Sequence, residues 1–135
     1  MSNHNNLPNF LIVGAAKCGT TSVASYLQTN PQIFISPIKE THHFIADKIK
    51  HGVQKVVDTD AEYESLFAST DAPARGEASV FYLYFHQIAI PRIIAKLGTD
   101  VKIIIMLRDP VARAYSAYNF ARALNAKENL SLIHI

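Results

Sequence analysis

Short apolar runs alternate with helix-like segments along the first third of the chain. Residues 9–13 (Asn-Phe-Leu-Ile-Val) lack the polar alternation of a half-exposed strand, so they predict a strand that is covered on both faces of a parallel sheet. Residues 21–28 have helical periodicity, and the Asn30-Pro31 pair ends the run because a residue before proline avoids the α region. Residues 32–35 predict a second short strand.

The middle of the chain predicts two more helices. Residues 61–68 place apolar side chains on one face, and Asp60 is a suitable N-cap before them. Pro91 suits the first turn of a second helix, and Gly98 suits its end. Residues 78–81 can be interpreted as a further buried strand or as part of a binding segment.

The strongest strand prediction is residues 101–107, which are β-branched and almost wholly apolar. Asp109 is a suitable N-cap and Pro110 a suitable first residue for a helix that follows this strand. Arg108 is therefore expected at the carboxyl end of a central parallel strand, where open α/β sheets bind their ligands. The alternation of strands and helices predicts an α/β fold with a parallel sheet flanked by helices, built like a P-loop nucleotide-binding core.

Composition narrows the class of protein without deciding its function. The chain has 135 residues, which predicts a single domain over residues 1–135. It is 49% hydrophobic and 18% charged, which is typical of a globular protein. A net charge of +2 gives no support for nucleic acid or a membrane surface as a partner. No signal-peptide pattern or membrane-length apolar run is present, so a cytoplasmic location is expected.

Residues 14–22 (Gly-Ala-Ala-Lys-Cys-Gly-Thr-Thr-Ser) form a loop between the first strand and the first helix. Such a loop directs backbone N–H groups and the positive end of a helix at one spot, which suits a phosphate. The glycine spacing is that of a Walker A loop, but threonine follows Gly19 and Lys17 lies two residues before it. Lys17 can reach an oxygen of the bound group, and Thr20 and Thr21 can donate hydroxyls from the first helical turn. The displaced lysine argues against a Mg²⁺-dependent nucleotide kinase, which is one alternative.

This loop resembles the 5′-phosphosulfate loop of sulfotransferases that use 3′-phosphoadenosine 5′-phosphosulfate (PAPS). Residues 108–116 (Arg-Asp-Pro-Val-Ala-Arg-Ala-Tyr-Ser) closely resemble the 3′-phosphate motif of the same family, Arg-Asp/Asn-Pro-x-x-Arg-x-x-Ser. The resemblance implies that Arg108 and Ser116 hold the 3′-phosphate, and the planar fork of arginine suits two phosphate oxygens. It also implies that the loop holds the 5′-phosphosulfate through Lys17, Cys18, Gly19, Thr20, Thr21 and Ser22.

Residues 38–44 (Ile-Lys-Glu-Thr-His-His-Phe) resemble a Lys-Glu pair followed by a histidine or aromatic cluster in glycosaminoglycan-type sulfotransferases and their bacterial relatives. The resemblance implies that Glu40 is the base that deprotonates the acceptor, a task that needs a carboxylate within hydrogen-bond reach. The alternative is that Lys39 and Glu40 are solvated neighbours in a loop. His42 is expected in the acceptor pocket or at the surface. No histidine or cysteine set has zinc spacing, so no metal site is predicted.

Residues 75–83 match in part the acceptor-side segment Gly-Glu-x-Ser/Thr-Pro-x-Tyr of that family, with Val80 where proline is expected. Glu77 in this segment, or His42, is the next candidate base after Glu40. The resemblance as a whole covers about residues 9–123. The family's carboxyl-terminal part, which contacts adenine, has no counterpart here, so we expect the chain to represent the amino-terminal part of such a domain.

The resemblance implies transfer of a sulfuryl group from PAPS to a hydroxyl or amine. Lys17 would stabilise the charge that develops on the leaving phosphate, and no metal is required. A small molecule or a glycan is the expected acceptor, with lipid and peptide acceptors also open, and the oligomeric state is not predicted. A non-catalytic protein that binds PAPS or its bisphosphate product is the second alternative.

Overall fold

A parallel sheet of four strands forms the centre of the fold. The computed structural model describes residues 6–49 and 56–128. Within them the sheet has the order β2-β3-β1-β4, and every neighbouring pair is parallel. The strands are β1 (Phe10–Gly14), β2 (Ile33–Ile35), β3 (Ala74–Ala78) and β4 (Lys102–Ile105). This architecture confirms the predicted α/β class with a parallel sheet.

Helices connect the strands and flank the sheet. A 3₁₀ segment covers His43–Lys48, and the α-helices are α1 (Thr20–Gln28), α2 (Asp60–Ser65), α3 (Phe81–Tyr84), α4 (His86–Leu97) and α5 (Pro110–Glu128). No helix in the described part of the chain combines the length and the apolar character that a bilayer crossing needs.

Strand β1 is buried along its whole length, as its unbroken apolar sequence predicts. Its side chains alternate between two apolar clusters because successive residues of a strand point to opposite faces. Leu11 and Val13 belong to the larger cluster, with Tyr63 and Phe67 among its buried members. The other cluster consists of Phe10, Ile12, Ala24, Ile35 and Ala78.

The carboxyl end of β1 is tied to its neighbours at the edge where a site can form. The amide of Ser79 donates to the carbonyl of Ile12 at 3.0 Å, and the amide of Met106 donates to that of Gly14 at 2.8 Å. Gly14 has a φ of 150°, and a Cβ there would lie 2.9 Å from both the Leu83 Cβ and the Val80 carbonyl oxygen. The close approach of α3 to this turn therefore requires glycine.

Two helix boundaries differ from the sequence predictions. Thr59, and not Asp60, is the N-cap of α2, because its extended backbone lets Oγ1 accept the amide of Glu62 at 3.2 Å. Helix α4 begins at His86, so Pro91 lies inside it and does not start it. Burial of Ala89 and Ile93 outweighs the local preference of proline for a first turn. Gly98 ends this helix as predicted.

The interpretation of residues 78–81 as a strand is wrong. Strand β3 ends at Ala78, and the chain then turns at Ser79 into α3. The strand predicted over residues 101–107 is shorter, and within the described residues it lies at the edge of the sheet and not at its centre. Ile103 and Ile105 are consequently 47% and 49% exposed, which an apolar sequence alone does not predict. Asp109 caps the following helix as expected, with Oδ1 accepting the amide of Ala112 at 2.9 Å.

Candidate active site

A cavity of about 480 Å³ opens at the carboxyl edge of the sheet. It is bordered by the loop after β1, the loop before the 3₁₀ segment, the start of α3 and the first turns of α5. Parallel strands bring their carboxyl ends to the same edge, which explains why segments far apart in sequence meet here. The lining includes seven of the predicted site residues: Lys17, Gly19, Thr20, Thr21, Glu40, Arg108 and Ser116.

The loop after β1 presents the amino terminus of α1 to this cavity. Gly19 is the N-cap residue of α1 and has a left-handed φ of 83°, although a Cβ there would meet nothing within 4 Å. Backbone conformation, and not lack of space, therefore favours glycine at this position. The first N–H groups of an α-helix have no partner within the helix, so this end of α1 suits an anion.

Two arginines, Arg108 just before α5 and Arg113 within it, bind carbonyl groups of the loop after β1. The Arg113 guanidinium donates from Nε to the carbonyl of Ala16 at 3.0 Å, and Arg108 donates from Nη1 to the carbonyl of Lys17 at 3.4 Å. The Lys17 ammonium lies 3.8 Å from the centre of the Phe120 ring, a cation–π distance. The sequence prediction did not include Arg113 or Phe120. Arg113 could have been predicted because it is the second arginine of the 108–116 motif. For Phe120 the sequence offers only its position one helical turn after Ser116.

Two predicted donor-binding residues lie outside the cavity lining. Cys18 is buried, 6% exposed, and its thiol donates to the carbonyl of Ala16 at 3.6 Å. Ser22 is exposed on α1. Their roles in donor binding stay predictions.

Glu40 projects into the cavity from a constrained position. Its backbone amide donates to the carbonyl of Ala78 at 2.9 Å, and its Oε2 accepts the amide of Val80, also at 2.9 Å. The side chain is only 17% exposed, which argues against the alternative of a solvated loop residue. Nε2 of His42 lies 3.9 Å from Oε2, and Nζ of Lys39 lies 4.0 Å from Oε1. Lys39 also donates to the Thr21 hydroxyl, so the loop of Glu40 contacts the first turn of α1 directly.

The surroundings of Glu40 raise the pKa of its carboxyl. Burial raises the pKa of its carboxyl above the ordinary value of 4.5, and the nearby charge of Glu77 acts in the same direction. The Val80 amide, His42 and Lys39 act in the opposite direction but do not cancel the effect of burial. A carboxylate with a raised pKa is a better proton acceptor than an exposed one.

Three residues in or directly behind the cavity wall have left-handed backbone conformations. The φ angles are 62° at Lys17, 59° at Glu40 and 52° at His42. Such angles are uncommon for residues other than glycine and cluster at functional sites.

His42 and Glu77 lie behind the cavity wall and do not line it. Both side chains are fully buried, so the surface alternative for His42 is wrong, and its place in an acceptor pocket stays a prediction. The His42 ring lies 5.6 Å from that of Phe81, centre to centre. Among the described residues, no group of three or more histidine, cysteine, aspartate or glutamate side chains could hold a metal ion.

Comparison with known proteins identifies the family. Residues 7–133 match the sulfotransferase domain family. This chain belongs to that family. A crystal structure of a sulfotransferase from Alicyclobacillus acidocaldarius matches 93% of the chain with a TM-score of 0.77 and 40% identity. The agreement in fold confirms both the resemblance and the predicted α/β class.

Curated relatives of this sulfotransferase-family chain include enzymes with named substrates. Over 115 residues the chain is 36% identical to the membrane-associated sulfotransferase kil1 of Dictyostelium discoideum, covering 85% of the chain and 23% of that protein. It is 35% identical over 122 residues to human bifunctional heparan sulfate N-deacetylase/N-sulfotransferase 2, covering 87% of the chain and 13% of that protein. The chain thus spans less than a quarter of these two relatives and 53% of the Alicyclobacillus structure.

Proposed function

We propose that this chain binds PAPS and transfers its sulfuryl group to a hydroxyl or amine of a carbohydrate. The single observation that carries the proposal is the meeting of three elements in one cavity: the phosphate-binding loop, the Arg108–Ser116 pair and the Glu40 carboxylate. The first two supply positive charge and hydrogen-bond donors from two segments of the chain, which suits a nucleotide with more than one phosphate group.

Each group has a role that its position supports. Lys17 and the amino terminus of α1 stabilise the negative charge that develops on the 5′-phosphate, and Arg108 with Ser116 binds the 3′-phosphate. Glu40 takes the proton of the attacking hydroxyl or amine. The sulfur–oxygen bond to the 5′-phosphate breaks as the bond to the acceptor forms, and adenosine 3′,5′-bisphosphate leaves. Lysine and backbone N–H groups supply the charge stabilisation, so the proposal requires no metal.

A carbohydrate acceptor is favoured by the names of the relatives. Heparan sulfate is named for one, and another is mouse carbohydrate sulfotransferase 15, which is 28% identical over 158 residues. The open cavity beside Glu40 is also bordered by Phe81, which is 38% exposed. An exposed aromatic ring offers a flat apolar surface beside the proposed base.

Incubation with radiolabelled PAPS and a panel of acceptors tests the proposal. The panel should contain desulfated heparan sulfate with free amines, neutral oligosaccharides, a simple phenol and a peptide. Label transfer to a carbohydrate, abolished in Glu40→Gln, is the expected result. Saturable binding of the bisphosphate without transfer to any acceptor would favour the non-catalytic alternative. Label transfer from the γ-phosphate of ATP instead would identify a kinase.

A further inference from the structure

A buried carboxylate lies behind the proposed base and is surrounded by hydroxyl groups. The Glu77 side chain is fully buried. Its Oε1 accepts the hydroxyls of Tyr63 at 2.8 Å and Tyr82 at 2.9 Å. Its Oε2 accepts the hydroxyl of Ser79 at 3.1 Å and that of Thr41. Two carboxylate oxygens offer about four lone-pair sites, and all are used here.

The two tyrosines are reliable donors in this cluster. Burial raises the pKa of both hydroxyls well above 10.0, and the Glu77 charge raises each further. They therefore stay protonated at any pH at which the protein functions. A buried carboxylate without such donors would be strongly unfavourable, so the cluster specifies one arrangement of the surrounding segments.

One side of the cluster reaches the turn that carries Glu40. Thr41, which donates to Oε2, directly follows Glu40 in the chain and is fully buried. Ser79 accepts the backbone amide of His42 at 3.2 Å while it donates to Glu77. These contacts hold residues 40–42, where Glu40 and His42 have positive φ angles. The Tyr63 hydroxyl belongs to α2 and donates to the other carboxylate oxygen, Oε1. The Tyr82 hydroxyl also donates to Oε1 but lies 3.3 Å from the Thr41 hydroxyl, so it contacts the turn as well.

We propose that Glu77 is a positioning residue for the base. Through Thr41 and Ser79 it holds the turn 40–42, so that the Glu40 carboxylate stays against the Val80 amide and faces the cavity. The inference rests on the proposed role of Glu40 as the proton acceptor. It predicts that the hydroxyls of Thr41 and Ser79, which bond to Oε2, affect turnover, whereas the Tyr63 hydroxyl, which bonds to Oε1, affects stability alone.

Comparison of Thr41→Val with Tyr63→Phe tests the proposal. Both variants keep the shape of a buried side chain and remove one hydroxyl bonded to Glu77, so both should lose stability to a similar extent. The first readout is hydrogen exchange of the Val80 amide, whose acceptor is Glu40, measured against the Leu11 amide at the centre of the sheet. In Thr41→Val the Val80 amide should exchange about tenfold faster relative to Leu11, because local opening of the turn becomes easier, and in Tyr63→Phe the ratio should not change.

The second readout is turnover with PAPS. Thr41→Val should lower kcat by about tenfold or more with no change in the dissociation constant of the bisphosphate, and Tyr63→Phe should keep the parent kcat. If Thr41→Val does not fold, Ser79→Ala tests the same side of the cluster by the same two readouts. Equal exchange ratios in the two variants, or parent turnover in Thr41→Val, would overturn the proposal. If the parent transfers no sulfuryl group, the proposed function fails, but the exchange comparison still decides whether Glu77 positions the turn.

Discussion

The backbone amide of Val80 donates a hydrogen bond of 2.9 Å to Oε2 of Glu40. The two residues are forty positions apart, and the bond joins the loop before the 3₁₀ segment to the start of α3. Because the amide of Glu40 also bonds to Ala78, both the backbone and the side chain of this residue are tied to the end of β3. A carboxylate held in this way has one orientation before any substrate binds, which a general base requires.

Glu40→Gln should therefore slow turnover and leave nucleotide binding unchanged. Glutamine keeps the shape and can still accept the Val80 amide, but it cannot take a proton. We expect the rate to fall by about 10²–10⁴-fold, while the dissociation constant for adenosine 3′,5′-bisphosphate stays within about twofold of the parent value. Single-turnover kinetics and calorimetric titration measure the two quantities. Normal turnover in the glutamine variant would show that another group is the base.

The pH dependence of activity should show the raised pKa of Glu40. Only the carboxylate accepts a proton, so kcat/KM should fall as the pH drops through that pKa, with a midpoint above 4.5. Between 4.5 and the raised pKa, the folded state binds more protons at this residue than the unfolded state does. The free energy of unfolding should thus decrease, relative to Glu40→Gln, as the pH rises through this window. An acid limb at or below the ordinary value, or a limb that persists in the glutamine variant, would contradict the assignment.

Arg108 should determine which nucleotide binds. Adenosine 3′,5′-bisphosphate at a hundred times its dissociation constant adds about 2.7 kcal/mol to the free energy of unfolding, which is visible as a rise in Tm. We expect ATP with Mg²⁺ to raise the Tm much less. Arg108→Ala should weaken bisphosphate binding by roughly 1.5–3 kcal/mol, because a charged hydrogen-bond partner is lost. Arg122→Ala, which changes an exposed arginine on α5, the helix that follows Arg108, is the matched control. Equal Tm shifts with the two nucleotides would exclude the 3′-phosphate role.

Gly14→Ala should destabilise the fold more than Gly98→Ala does. Both glycines have positive φ angles, so each alanine costs about 1–3 kcal/mol for its backbone conformation. Only at Gly14 would the new Cβ lie 2.9 Å from a carbonyl oxygen and a side-chain carbon, whereas at Gly98 it would meet nothing within 4 Å. We expect a further loss of about 1–3 kcal/mol at Gly14 from this overlap. Urea denaturation of both variants gives the difference in the free energy of unfolding. Equal losses of stability in the two variants would contradict this prediction and mean that α3 shifts away from the new Cβ without an energetic cost.

Cys18 should react slowly with iodoacetamide in the folded protein. Its side chain is 6% exposed and lies against the carbonyl of Ala16, so alkylation requires local opening of the loop. Adenosine 3′,5′-bisphosphate should slow the reaction further if it binds over this loop. The same rate with and without the nucleotide would show that the ligand does not stabilise residues 14–22. Mass spectrometry at neutral pH follows the modification directly.

Local sequence predicts those structural features of this protein that depend on a few adjacent residues. The strand before the loop 14–22 and the Asp109 cap were predicted correctly, because burial of an apolar run and capping depend on a few adjacent residues. The edge position of β4 was not predicted, since an apolar strand has the same sequence whether one or two strands pair with it. The start of α4 was also predicted wrongly from Pro91, because packing of the rest of the helix determines where it begins.

The residues of the candidate site likewise fall into those that local sequence predicts and those that it does not. The motifs at residues 14–22 and 108–116 mark the proposed phosphate-binding elements because each is a short strand–helix junction with its own chemistry. The Glu40–Val80 contact, the ring of Phe120 over Lys17 and the hydroxyls around Glu77 join distant segments. No spacing along the chain reveals such contacts, so only the structure shows them.

The left-handed backbone angles of Lys17, Glu40 and His42 lower the stability of the fold at or beside the proposed site. Each costs of order 1 kcal/mol that glycine at the same position would recover. A library screened only for heat resistance should therefore accumulate glycine or asparagine at Lys17 and Glu40, where each such gain would remove the proposed chemistry, but not at His42, whose fully buried ring would leave a cavity. Selection for turnover would keep Lys17 and Glu40, whereas selection for thermal stability would replace them. A thermostable variant obtained without an activity screen would therefore be expected to lack the proposed catalytic residues.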